Sequence, residues 1–101
     1  MIQFKIIEEK PEKSEKRIQE EIAIYLRSLN YSVDMITKGL YGRSGISDII
    51  AVGNSRIVFI EVKKPGKHPT LLQSLFLEEK RNAGAIAFVA HSVEEVKERI
   101  Y

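Results

Sequence analysis

Apolar residues recur along this chain at two different periods, and the switches between them divide it into elements. Ile2, Phe4 and Ile6 alternate weakly, so residues 1–13 read as a short strand or an N-terminal arm, broken at Pro11. Ser14 stands where an N-cap belongs, and Ile18, Ile22, Leu26 and Leu29 follow at spacings of three and four. That spacing predicts an amphipathic helix over 15–29, stopped at Asn30. Tyr31, Val33, Met35 and Thr37 then alternate, which predicts a strand. Gly39, Gly42 and Gly45 fall close together and make 38–45 a loop. Two apolar runs, 47–52 and 56–63, flank Gly53, Asn54 and Ser55, the signature of an antiparallel hairpin. A turn-rich connection with Pro65, Gly66 and Pro69 follows. Thr70 and Gln73 have capping-box spacing, which predicts a helix over 71–83 with Leu72, Leu75, Phe76 and Leu77 as its apolar residues and Gly84 as its stop. The wholly apolar 85–90 reads as a buried strand. Ser92 and Glu95 cap a last helix that runs to the end of the chain.

The order helix, three strands, helix, strand, helix predicts an α/β fold with a mixed central sheet flanked by helices. The strand over 85–90 can lie parallel to the strand over 56–63, because a helix separates them. At 101 residues the chain is long enough for one domain with one modest core. Its composition, 44% hydrophobic and 30% charged, is that of an ordinary globular protein. The lack of cysteine excludes a disulfide scaffold and a thiolate zinc site. No apolar run approaches the ~20 residues of a membrane span and no signal-peptide pattern opens the chain, so a cytoplasmic location without membrane contact is expected. A net charge of +2 is too mild to identify a nucleic-acid binder, which leaves the decision to how the charges cluster.

The chemistry gathers around 56–64. Residues 57–62 are apolar on both faces, as suits a central strand covered on both sides, yet the run ends in Glu61 and Lys63 on one face. A half-buried carboxylate is costly unless something pairs with it, which points to a bound cation. Asp48 opens the preceding strand, and the hairpin brings it close to Glu61. Two adjacent carboxylates repel unless a cation lies between them, and hard oxygen ligands suit magnesium or manganese. Lys63, about 7 Å along the strand from Glu61, is placed to orient or deprotonate a water or to stabilise charge on a phosphate. Lys38 and Arg43 in the glycine loop, with Lys64, Lys67 and His68 after the strand, supply cations for a phosphate backbone. The loop lacks the Gly-Lys-Ser/Thr ending of a P-loop. Together these features suit phosphodiester hydrolysis.

Asp48, twelve residues, then Glu61, Val62 and Lys63 resembles the Asp…(Asp/Glu)-x-Lys signature of the PD-(D/E)XK nucleases. The closer resemblance is to their VRR-NUC (virus-type replication-repair nuclease) branch, akin to archaeal Holliday-junction resolvases. The matching pieces are Ser14, Glu15, Ile18 and Gln19; Gly45, Ser47, Asp48 and Ile50; Ile60 to Lys63; and Gln73 with Phe76. The resemblance implies a restriction-endonuclease-like αβββαβ core with a C-terminal helix. It implies Asp48, Glu61, the Val62 carbonyl and Glu15 as ligands of Mg2+, with Mn2+ able to substitute, and Lys63 as the catalytic lysine with Gln73 beside it. It further implies a homodimeric endonuclease acting on DNA, in particular on four-way or other branched junctions. Ser47 departs from the proline found there in many superfamily members.

Plainer readings stand beside these. Glu15 is also a first-turn acid favoured by the helix dipole, although it continues the apolar stripe. Glu20 is the next candidate; Glu20 and Glu21 both fall off the stripe and read as solvated. Gln73 is also a capping residue. Glu61 and Lys63 alone would make an ordinary strand-end ion pair. His68 is more often a solvated loop histidine than a general base, Lys38 and Arg43 also keep a loop soluble, and Tyr41 suits either base stacking or loop support. For the whole chain the alternatives are a non-catalytic nucleic-acid-binding module on the same fold, or a restriction or end-processing nuclease with the same chemistry.

Overall fold

The computed structural model describes residues 12–37 and 45–101. Its first element is α1 (Glu15–Ser28), which starts where the Ser14 hydroxyl accepts from the Arg17 N–H at 3.1 Å. Ile18, Ile22, Ala23 and Leu26 make its buried stripe. Asn30, with φ of 66°, ends it: the Asn30 and Tyr31 N–H groups donate to the Arg27 and Leu26 carbonyls, the pattern of a Schellman motif. Then come β1 (Ser32–Met35), β2 (Ile49–Gly53), β3 (Arg56–Val62), α2 (Leu71–Asn82), β4 (Ile86–Ala90) and α3 (Val93–Arg99). α2 opens on the capping box of Thr70 and Gln73 and closes on a second Schellman pattern around Gly84.

The four strands form one sheet in the order β1-β2-β3-β4, with β3 and β4 parallel and the other pairs antiparallel. The β2–β3 hairpin turns on two residues, Asn54 and Ser55, both at positive φ, between the paired Gly53 and Arg56. This is the restriction-endonuclease-like core, αβββαβ plus a C-terminal helix, with helices on both faces of a mixed sheet.

Alternation along the strands sorts the core into two layers. Ile49, Ala51, Val58, Ile60, Val62, Phe88 and Ala90 pack with residues of α1 and α3. Phe59, Ala87 and Val89 face the other way, onto Phe76 and Leu77 of α2. The Phe59 and Phe76 rings meet edge to face at 5.6 Å.

Two expectations are corrected here. Ile57 is 49% exposed, as is Val52 at 51%, its cross-strand partner. The covering of β3 on both faces therefore begins only beyond Ile57, because α2 does not extend over the hairpin end. Of the apolar residues of α2, Leu72 and Leu75 are 55% and 49% exposed, while Phe76 and Leu77 are buried together with Gln73. The apolar side chains of α2 exceed the one stripe that a helix can turn toward a sheet, and Leu71, Leu72 and Leu75 stay outside. The last helix stops at Arg99, one residue before Ile100, which is extended and fully buried. The expected N-terminal arm or strand lies almost wholly outside the described residues, as does the glycine loop up to residue 44.

Candidate active site

Strand pairing assembles the charges. The β2–β3 register sets Ile49 against Ile60, so Asp48 and Glu61 are the next residues outward on the two strands. Because Ile49, Ile60 and Val62 face α1, Asp48, Glu61 and Lys63 fall on the opposite face, the one that α2 covers. Asp48 is 3% exposed and Glu61 0%. Asp48 is fixed from both sides: its Oδ2 accepts from the Val62 N–H at 2.8 Å, and its backbone carbonyl accepts from the Ile36 N–H at 2.8 Å. The buried Ser47 hydroxyl donates to the Ile49 carbonyl at 3.2 Å. Lys63 Nζ lies 3.8 Å from Glu61 Oε1, and the Lys63 N–H extends the β3–β4 pairing to the Ala90 carbonyl at 3.1 Å. The lysine side chain is 13% exposed against 1% for the glutamate, so the ammonium sits at the rim and the carboxylates lie beneath it.

Gln73 is buried on the sheet-facing side of α2, one turn before Phe76. Its Oε1 accepts from the Thr70 N–H at 2.8 Å, so it is a capping residue. The cap uses only the carbonyl end of the amide and leaves the Nε2 donors for other contacts.

Glu15 is the first residue of α1, half-buried, on the helix that packs against the other face of the sheet. Among the described residues no three Asp, Glu, His or Cys side chains converge as a metal cage, so Glu15 is not gathered with Asp48 and Glu61 into such a group. Glu20 is also half-buried. Glu21, read as solvated, is instead engaged by Lys13 at 2.9 Å and Arg17 at 3.4 Å. The hydrogen bond from Lys13 holds its carboxyl below the usual carboxylate range.

After β3 the chain turns tightly. The Lys67 N–H donates to the Lys64 carbonyl at 3.0 Å across Pro65 and Gly66. Lys67 and His68 are exposed and Lys64 is half-buried. Lys38, Tyr41 and Arg43 lie outside the described residues. Gly45 is described: its φ is +83°, and a Cβ there would come within 2.6 Å of the Leu72 carbonyl oxygen in the first turn of α2. Gly66 has a similar φ of +82° but open space around it. Gly45→Ala is therefore expected to destabilise the fold by roughly 1–3 kcal/mol, and by more than Gly66→Ala, which meets the backbone cost alone. Thermal melts of the two variants measure the difference; equal melting temperatures would show that α2 does not pack against Gly45 as described.

No protein-family model matches the chain, and no curated protein matches it. A solved structure described as a VRR_NUC domain superposes with a TM-score of 0.74 at 29% identity, covering 86% of this chain and 97% of that one. The chain is similar to a VRR_NUC domain. At this identity and coverage the likeness supports a nuclease-type domain on the fold already described. In this VRR_NUC-like fold the residues fit a hard divalent cation: two buried carboxylates sit side by side at adjacent strand ends, with a lysine at the rim. Magnesium binds proteins through one or two carboxylates and keeps several waters, so a pair of carboxylates suffices.

One neighbour of the site had no motif to announce it. Parallel pairing sets Val62 beside Ala90, so His91 emerges next to Lys63 at the same end of the sheet. Only the β3–β4 register carries that signal, and a sequence pattern does not contain it.

Proposed function

We propose that the protein is a magnesium-dependent DNA endonuclease of the PD-(D/E)XK type, akin to the archaeal junction resolvases, in which manganese can replace magnesium. The observation that carries this reading is the grouping of Asp48, Glu61 and Lys63 on one face at the ends of β2 and β3, with both carboxylates buried. Asp48, Glu61 and the Val62 carbonyl would hold the cation. When bound, it supplies Lewis-acid stabilisation of the charge that develops on the scissile phosphate. Lys63 orients the attacking water and donates to a non-bridging phosphate oxygen as negative charge builds there. The Val62 N–H fixes the Asp48 carboxylate, so that group meets its ligand already oriented. Gln73 holds the start of α2 in place through the Thr70 N–H, and the resemblance puts it beside the lysine. Lys38, Arg43, Lys64 and Lys67 grip the phosphate backbone, which positions DNA without reading its sequence.

The cations proposed to meet DNA all suit phosphates rather than bases, so recognition by shape, as at four-way or branched junctions, is the reading we favour. A homodimer would present two such sites to two strands. The exposed Leu71, Leu72 and Leu75 on α2 support a second copy as the partner of that face. Sedimentation is expected to show a dimer that Leu72→Glu with Leu75→Glu converts to a monomer. A parent protein that sediments as a monomer with and without DNA would rule the dimer out. The activity itself is tested on junction, flap, single-stranded, linear and plasmid DNA, each with magnesium, manganese or EDTA. Metal-dependent cleavage with preference for the branched substrates is expected. Cleavage of linear ends alone would instead identify an end-processing enzyme, and no cleavage of any substrate would identify a binding module.

A further inference from the structure

The turn over residues 64–67 follows the catalytic lysine directly, and one side chain from elsewhere in the fold clamps it. His91, at the junction of β4 and α3, has its Nε2 3.1 Å from the Lys67 carbonyl. Its Nδ1 lies 3.2 Å from Glu95 Oε2, and the same carboxylate oxygen accepts from the His91 N–H at 2.8 Å. Glu95 is itself placed by α3, whose cap runs from the Glu95 N–H to the Ser92 hydroxyl at 3.2 Å. A carbonyl and a carboxylate are both acceptors, so each ring nitrogen faces a group that only an N–H can satisfy. The protonated ring satisfies both; the neutral ring satisfies one.

We infer that His91 is a positioning residue that fastens the basic turn 64–67 to the β4–α3 junction, and that the grip of this turn on DNA depends on the clamp. The inference rests on the nuclease reading above for the claim that the turn contacts DNA. The turn holds Lys64 and Lys67 and continues the strand that ends in Lys63, so its position sets where two phosphate contacts fall relative to the catalytic group. The nearby Lys67 presents its carbonyl, while its side chain is exposed.

DNA affinity measured by fluorescence anisotropy in EDTA, with a labelled branched DNA, tests this without requiring cleavage. His91→Ala is expected to bind about three- to tenfold more weakly than the parent. His91→Gln, which keeps a donor for the Lys67 carbonyl, should recover much of the affinity. Hydrogen exchange at the Lys67 amide, slow in the parent and faster in His91→Ala, reports the clamp itself. A parent and His91→Ala that bind alike, or a His91→Gln that binds no better than His91→Ala, would overturn the inference while leaving the nuclease reading intact. Failure of the parent to bind DNA would overturn both.

Discussion

Lys63→Ala is expected to cleave DNA about 10²- to 10⁴-fold more slowly than the parent, while binding it with an affinity within a fewfold. The lysine ammonium is 3.8 Å from Glu61 and sits at the rim of an otherwise buried site. In the proposed reaction it acts on the phosphate and the water, and it is only one of several cations that would contact DNA. Asp48→Asn is expected to lose cleavage to a similar degree for a different reason. Asparagine keeps an oxygen that can accept from the Val62 N–H, which the aspartate now does at 2.8 Å, so the strand end survives and only the charge is lost. Single-turnover cleavage rates measured beside anisotropy binding curves separate the two effects. Variants that cut at the parent rate would remove both residues from the site.

The second large effect concerns stability in the presence of the cation. A ligand that binds only the folded state at ten times its dissociation constant contributes about 1.4 kcal/mol. For a domain of this size that raises the melting temperature by roughly 6–11 °C. Magnesium is expected to give the parent a rise of this order, and Glu61→Gln none. Glu61 is fully buried one strand away from the equally shielded Asp48, and two carboxylates that close destabilise each other without a cation. In EDTA, therefore, Glu61→Gln is expected to melt no lower than the parent, because the repulsion is removed while the Lys63 ammonium, at the rim, keeps access to water. Thermal melts of both proteins, with EDTA and across a magnesium series, test the point. An equal magnesium response in the two proteins would place the cation elsewhere.

Much of this arrangement is legible in the sequence. The hairpin signal at residues 53–55 sets the register of β2 and β3, and that register places Asp48 beside Glu61 without knowledge of the rest of the fold. Local chemistry likewise identified the caps at Ser14, Thr70 and Ser92, because each depends on residues at most three positions away. What depends on long-range packing was not legible. Nothing local says which side of a leucine-rich helix meets the sheet, so the pattern did not tell that Leu72 and Leu75 stay exposed while Gln73 takes the buried position. Alternation predicts two faces for β3 but not how far α2 reaches, and Ile57 is left half-exposed. His91 reaches the site only through a parallel pairing across a helical connection, which separates it from Lys67 by 24 residues. Glu15 depends on how α1 docks, and that helix lies on the face of the sheet opposite the Asp48 and Glu61 side chains.

The central claim is that Asp48, Glu61 and Lys63 form one metal-dependent cleavage site. Its most direct test is a time course of cleavage of a labelled four-way junction by the parent and by Asp48→Asn, each with magnesium and with EDTA. The account predicts product only from the parent with magnesium. Product from the parent in EDTA, or from Asp48→Asn at the parent's rate, would contradict it.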